Sequence, residues 1–194
     1  MQALRVVPKI FYFDTFKEFN EEFNLGKGDI LVTNEWMYTP YVKPLGIDIP
    51  VIYQEKYGKG EPSDEMIDAM VKDMGQYDYN RIIAFGGGTI VDICKILALE
   101  PAERSEDLFT GKKEPKKVKE LIVVPSTCGT GSEVTNVAIA ELKSLNTKKG
   151  LAVEETYADM AILIPESLQG LPDYVFATSS IDALIHAVES YLSP

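Results

Sequence analysis

The sequence predicts an α/β fold, a doubly wound and mostly parallel sheet with helices on both faces. Three observations predict it. Short apolar runs rich in β-branched residues recur along the 194 residues, helical patterns fill the intervals, and three glycines follow one apolar run directly. At 45% hydrophobic and 25% charged residues, the chain has the balance of a globular protein able to bury a core.

Five runs read as buried strands: DILVT (29–33), VIY (51–53), RIIAF (81–85), ELIVVP (120–125) and MAILIP (160–165). Each is too short for a helix. TFKEFNEEF sets Phe16, Phe19 and Phe23 at helical spacing. SDEMIDAMVKDM does the same with Met66, Ile67, Met70, Val71 and Met74, behind Ser63 as N-cap. Methionine and aromatic stripes of this kind are core filler rather than a cofactor box. The stretch VAIAELKSLNTKKGLAV (137–153) breaks the rhythm, and its two β-like runs around SLNT predict a β-hairpin excursion. From about residue 173 to 192 the pattern is helical again. Val175, Ala183, Leu184, Ala187, Val188 and Tyr191 supply an apolar face, and Ser193-Pro194 is the stop.

A net charge of -11 excludes a nucleic-acid partner, since no basic stripe is present to neutralise phosphates. The one basic run, GKKEPKKVKE (111–120), reads as a solvated loop before a strand. Cys94 and Cys128 form no CxxC pair and read as free thiols in a reducing compartment. The start MQALRVVPKIFYF lacks a long apolar run and a small-residue cleavage site, and no segment approaches the ~18 apolar residues of a membrane span. A cytoplasmic protein without a membrane partner is expected.

Three stretches carry chemistry. In IIAFGGGTIVDICKILAL, Gly86, Gly87 and Gly88 follow a strand and open a helix. Glycine permits a turn with φ > 0 and lets backbone amides approach a ligand, so this helix start reads as a phosphate cradle, with Thr89 adding a hydroxyl. A bare glycine-rich turn is the plainer alternative. In VPSTCGTGSEVTN, Ser, Thr, Cys and Gly fill residues 126–132 at the end of a buried strand. That density suits hydrogen bonding to phosphate and ribose. Finally, Asp182 and His186, the only histidine, stand four apart on the last helix. Such a pair can present carboxylate oxygen and imidazole nitrogen to a divalent metal, although a lone histidine on an apolar helix is more often a satisfied core residue. Glu133 and Glu189 are further carboxylates that could assist.

Read jointly and in this order, GGGTIVDICK, PSTCGTGSE and IDALIHAVESY resemble the iron-containing alcohol dehydrogenase family. YQEKYGKGEPSDEMI and CGTGSEVTNVAIAELK are similar to members that act on a small hydroxy acid. The resemblance implies a Rossmann-like dinucleotide-binding α/β domain over 1–172. Residues 173–194 are then the first helix of a C-terminal all-helical metal-binding domain that continues past Pro194. It implies an alcohol dehydrogenase using NAD, with NADP possible, and Fe(II) or another divalent metal such as Zn or Mn. The partners are a small alcohol and its aldehyde, in a homodimer or higher homo-oligomer.

Residue by residue, the resemblance makes Asp182 and His186 two of four metal ligands and the catalytic centre. The other two are histidines beyond this chain, so the chain itself is expected to be an inactive N-terminal portion. Gly86, Gly87, Gly88 and Thr89 correspond to the pyrophosphate loop, and Thr127, Thr130 and Ser132 to hydroxyl contacts with the cofactor. Asn136 corresponds to a polar residue near the nicotinamide, and Lys149 to a lysine reaching the ribose, with Lys148 its competitor. Asp92 stands where the family has an acid just inside the helix, with a simple helix-start charge as the alternative. Asn34 replaces an acid that would repel a 2′-phosphate, which leaves NAD and NADP both open, and Ile164 replaces another acid. Two other readings remain: a nucleotide-binding module without catalysis, and a related sugar-phosphate cyclising synthase.

Overall fold

The computed structural model describes residues 5–193. In chain order the elements are β1 (Lys9–Tyr12), α1 (Phe16–Phe23), β2 (Asp29–Thr33), α2 (Glu35–Tyr41), β3 (Val51–Tyr53), α3 (Asp64–Met74) and β4 (Arg81–Gly86). There follow α4 (Gly88–Leu97), α5 (Glu106–Thr110), β5 (Glu120–Pro125), β6 (Val137–Leu142), β7 (Thr147–Ala152), β8 (Met160–Leu163) and α6 (Asp173–Leu192). Six strands form one sheet in the order β1-β8-β5-β4-β2-β3, every pairing parallel. The β6–β7 hairpin is antiparallel and stands apart from that sheet, and a single antiparallel bridge joins Leu99 to Lys117.

The apolar runs are continuous because the sheet is covered on both faces. Ile30, Val32, Ile82, Ala84, Leu121 and Val123 point to the face carrying α3 and α4, where Met66, Ile67, Met70 and Met74 fill the space. The intervening Leu31, Ile83, Phe85, Ile122 and Val124 meet Phe16, Phe19 and Met37 of α1 and α2. Phe16 and Phe85 have ring centroids 4.9 Å apart. Each such side chain, fully buried, contributes roughly 1.5–3 kcal/mol. Thr15 and Ser63 cap α1 and α3 by accepting from the amides of Glu18 and Met66, and Arg81 grips Asp29 with two hydrogen bonds of 2.6 and 2.8 Å across β4 and β2.

The sequence reading overlooked the edge strand β1, whose residues are mostly exposed and therefore carry no buried-strand signature. It also overlooked α2, which holds Pro40 inside it. The lysine run is more than a solvated loop. Lys117 donates to the Tyr157 carbonyl and pairs with Asp159, each at 2.7 Å, while Lys119 donates to the Tyr79 carbonyl. Both tie the entry of β5 to its neighbours. The predicted hairpin forms, turning through residues 143–146 with Asn146 at φ 44°, and Ala138, Ala140 and Leu142 bury its inner face. The helix α6 follows Pro172 and ends at Ser193 in extended backbone; the expected stop residue Pro194 lies outside the described residues. None of its residues is buried. Among the described residues, no helix is long and apolar enough to cross a membrane.

Candidate functional site

The glycine turn joins β4 to α4. Gly87 is the N-cap, at φ -77° and ψ -177°, and none of Gly86, Gly87 and Gly88 is left-handed, contrary to the expected φ > 0. Close approach is what requires glycine here. A Cβ on Gly86 would come within 2.4 Å of Ile90 Cδ1, and those on Gly87 and Gly88 would touch Thr127 and Thr130. The turn therefore lies flush against both α4 and the hydroxyl-rich loop. The first amides of α4 have no partner within the helix and carry its positive end.

These amides open into a cleft of about 630 Å³. Asn34 after β2, Gln54 after β3, Gly87 and Gly88 after β4, and Ser126 and Thr127 after β5 line it from the carboxyl ends of four strands. It lies where connections leave β2 and β4 in opposite directions, the position at which open parallel sheets bind ligands. Trp36, Leu171 and Val175 give the cleft an apolar wall. Ser126 is only 1% exposed, and its Oγ has no hydrogen-bond partner. A buried hydroxyl without a partner is costly, and this one belongs to the cleft lining. A second lobe of about 430 Å³ shares Gly88 and Thr89 with the first and continues past Asp92, Thr130, Ser132 and Lys148 to His186.

The same loop holds α6 in place. A Cβ on Gly129 would sit 2.4 Å from the Ser179 carbonyl oxygen, so only glycine allows the backbones to meet. Beside it, Cys128 Sγ is 3.5 Å from Ser179 Oγ and 3.6 Å from Ser180 Oγ. Those hydroxyls, Ser179 first, hold the thiol below its ordinary range. One turn further, Asp182 Oδ2 and His186 Nδ1 lie 3.7 Å apart with both side chains about half exposed. Oxygen and imidazole nitrogen at this separation fit one edge of a divalent-metal coordination sphere. Among the described residues no group of three or more His, Cys, Asp and Glu gathers to complete it; Glu133 and Glu189 are not brought in.

The family model for iron-containing alcohol dehydrogenases matches residues 8–165. The chain belongs to the iron-containing alcohol dehydrogenases. It is 55% identical over all of its 194 residues to 4-hydroxybutyrate dehydrogenase of Clostridium kluyveri, covering 52% of that protein. The mitochondrial hydroxyacid-oxoacid transhydrogenase of Xenopus laevis is 31% identical over 139 residues, 68% of this chain and 30% of that one. The crystal structure of sulfoacetaldehyde reductase from Bifidobacterium kashiwanohense in complex with NAD+ superposes with a TM-score of 0.84 at 22% identity. That match covers 98% of this chain and 53% of the reductase. The chain thus spans about half the length of the Clostridium kluyveri enzyme.

Within this iron-containing alcohol dehydrogenase chain, the structure places three more of the residues named from sequence as follows. Asp92 accepts from the Ile139 amide at 3.2 Å and from Lys95 Nζ at 3.4 Å. It binds α4 to the hairpin while still lining the second lobe, and burial pushes its carboxyl up. Asn136 spans the base of the hairpin, its Nδ2 donating to the Val153 carbonyl and its own carbonyl accepting from Thr156 Oγ1; it lines neither lobe. Lys149 pairs opposite Ala140, on the hairpin face turned to α4, whereas Lys148 pairs opposite Glu141 on the face that opens into the second lobe. Lys148 forms an ion pair there with Glu61.

Sequence reasoning placed Ser126 in the hydroxyl-rich stretch without singling it out, and missed Trp36, Gln54 and Lys95. The Lys95 side chain is fully buried and donates to the Val137 carbonyl at 2.6 Å, and burial pulls its ammonium below the usual range. A lysine in the otherwise apolar helix IVDICKIL, three residues after an aspartate, was the available signal.

Proposed function

We propose that this chain is the nucleotide-binding half of an NAD-dependent, divalent-metal-dependent dehydrogenase that interconverts 4-hydroxybutyrate and succinate semialdehyde. The observation that carries it is a pair of lobes that share the Gly88–Thr89 turn as a common wall. One holds the start of α4 and the unpartnered Ser126 hydroxyl, the other ends at His186, and they meet at Gly88 and Thr89. The substrate follows from the 55% identity to the Clostridium kluyveri enzyme.

When bound, the nicotinamide supplies a hydride acceptor and the cation, Fe(II) or another divalent metal such as Zn or Mn, supplies Lewis acidity toward the alcohol oxygen. The chain provides the nucleotide cleft and two of the metal donors. The α4 amides and the positive helix end offset pyrophosphate charge, and Ser126 gains the partner it lacks. Thr127, Thr130 and Ser132 offer hydroxyls along the loop, and Lys148 adds positive charge beside it. Leu171 and Val175 offer an apolar surface to a base and exclude water. Asp182 and His186 would hold the cation from α6, orienting the reacting groups before reaction. Two free thiols fit a reducing cytoplasm, and the exposed apolar residues of α6 fit burial against further helices of the same domain.

Calorimetric titration of the 194-residue chain with NADH, alongside an assay of 4-hydroxybutyrate oxidation, tests the reading. NADH binding that weakens on Ser126→Ala is expected, and absence of NADH binding would overturn it. A second reading, nucleotide binding without turnover by this chain alone, is favoured by the two-donor metal edge on α6. The activity arm of the same experiment decides between them.

A further inference from the structure

The nucleotide site of this chain lacks an acid immediately after β2, where Asn34 stands. The structure brings a carboxylate to the same place from the next strand. Asn34 Nδ2 donates to Glu55 Oε2 at 2.8 Å, and the Glu35 amide donates to Glu55 Oε1 at 2.6 Å. The weaker contact of Asn34, to Gln54 Oε1 at 3.5 Å, also uses Nδ2. With Nδ2 committed twice, Oδ1 is the Asn34 atom left to meet a ligand in the cleft that Asn34 lines. An amide oxygen backed by a carboxylate thus takes the place of a carboxylate at this spot.

Which end of a dinucleotide meets this pair follows from the layout of the lobes. The reactive ring must lie beside His186, in the second lobe, and the phosphates belong at the start of α4, where the lobes join. The other nucleoside then falls in the first lobe, its base against Leu171 and Val175 and its ribose toward Asn34. We propose that Glu55, acting through Asn34, makes this site select dinucleotides whose adenosine ribose carries a free 2′-hydroxyl over those bearing a 2′-phosphate. Asn34 Oδ1 accepts from the hydroxyl, and the Glu55 charge behind it repels the doubly negative phosphate. Glu55 is a positioning residue: it orients the Asn34 amide and sets the local charge. The inference rests on the reading of the cleft as a dinucleotide site.

Quenching of Trp36, the sole tryptophan and part of the cleft wall, reports binding of NADH and NADPH to the 194-residue chain. The unmodified chain is expected to bind NADH more tightly than NADPH. Glu55→Gln is expected to narrow that preference about tenfold, the size of one screened charge acting on a nearby phosphate. Glu55→Asp, which keeps the charge, is expected to retain most of the preference. Lost packing alone would weaken both nucleotides equally and leave their ratio alone. An unchanged ratio in Glu55→Gln overturns the inference while NADH binding upholds the dinucleotide site. Failure of the unmodified chain to bind either nucleotide overturns both.

Discussion

Replacing Lys95 with methionine tests how the hairpin is held to α4. Methionine matches the aliphatic stem of lysine and suits a helix, so the change removes the ammonium and little else. Three interactions go with it: the 2.6 Å hydrogen bond to the Val137 carbonyl and the longer contacts to Asp92 at 3.4 Å and Thr135 at 3.5 Å. The Asp92 carboxylate then keeps only the Ile139 amide and the Ser132 hydroxyl, and the Val137 carbonyl is left without this donor. Breaking one side of a buried pair costs about 3–5 kcal/mol, a large share of the ~5–15 kcal/mol that stabilises a domain. With a urea dependence of roughly 2 kcal/mol per molar, the midpoint of unfolding should fall by ~1.5–2.5 M at neutral pH.

The pH dependence supplies an internal check. Burial already raises the folded-state pKa of Asp92 above its ordinary value, and Lys95 works against that rise. Without Lys95 the folded pKa climbs further above the unfolded one. A raised acid is penalised as pH rises through that folded pKa and relieved as pH falls through it. The deficit of Lys95→Met relative to the unmodified chain should therefore shrink on acidification. Urea unfolding followed by circular dichroism at neutral and mildly acidic pH measures both effects. A midpoint shift below ~0.5 M, or a deficit indifferent to pH, would refute the account of Lys95 as the cation that pins the hairpin. The paired replacement Asp92→Leu with Lys95→Met should recover much of the loss, since an apolar pair leaves no charge stranded.

Gly129→Ala drives a Cβ to 2.4 Å from the Ser179 carbonyl, and because no residue of α6 is buried, the helix should yield before the sheet does. Chymotrypsin cleavage at Tyr174 and Phe176 is expected to accelerate while the thermal midpoint falls by no more than ~4 °C, about 1 kcal/mol. Of the two thiols, Cys128 should alkylate readily and Cys94, buried and pushed far up by burial, only in denaturant. Ser179→Ala with Ser180→Ala should slow Cys128 near neutral pH by raising its pKa. Lys148→Ala should weaken NADH binding roughly tenfold and flatten its salt dependence, with Lys149→Ala near the unmodified value. Burial and the 2.8 Å hydrogen bond to Asp73 push Tyr57 up to about 12. Its stabilising contribution is complete below pH 10 and lost as pH climbs to about 12, so alkaline unfolding of Tyr57→Phe should lack that component.

The sheet was legible because parallel strands covered on both faces must be apolar at every position, and Ile30 through Val32 or Leu121 through Val124 leave no other reading. The capping serine of α3 and the hairpin were legible for equally local reasons. What stayed hidden was partnership across the sequence. Nothing near Asn34 announces that Glu55 will stand beside it, because the two meet only when β2 and β3 pair. Lys148 and Lys149 are identical neighbours until the hairpin register sends one to each face. Of the two reasons for glycine at the turn, positive φ and close approach, only close approach holds. The backbone is ordinary, and it is the space a Cβ would fill that excludes other residues.

One short loop sets both halves of the candidate site, and its composition follows from that double duty. Facing β4 and α4, it brings Thr127 and Thr130 within van der Waals contact of where Cβ atoms on Gly87 and Gly88 would be, so its side chains must be small as well as polar. Facing α6, it offers Gly129 to the Ser179 carbonyl and Cys128 to two serine hydroxyls. Any larger residue on the first side would close the space at the phosphate cradle, and any on the second would push Asp182 and His186 away from it. A polar but bulky loop could hydrogen-bond a nucleotide equally well, yet it would separate the glycine turn from the helix that carries Asp182 and His186. Small size, rather than hydrogen-bonding capacity alone, is therefore the property that keeps the two lobes joined at Gly88 and Thr89.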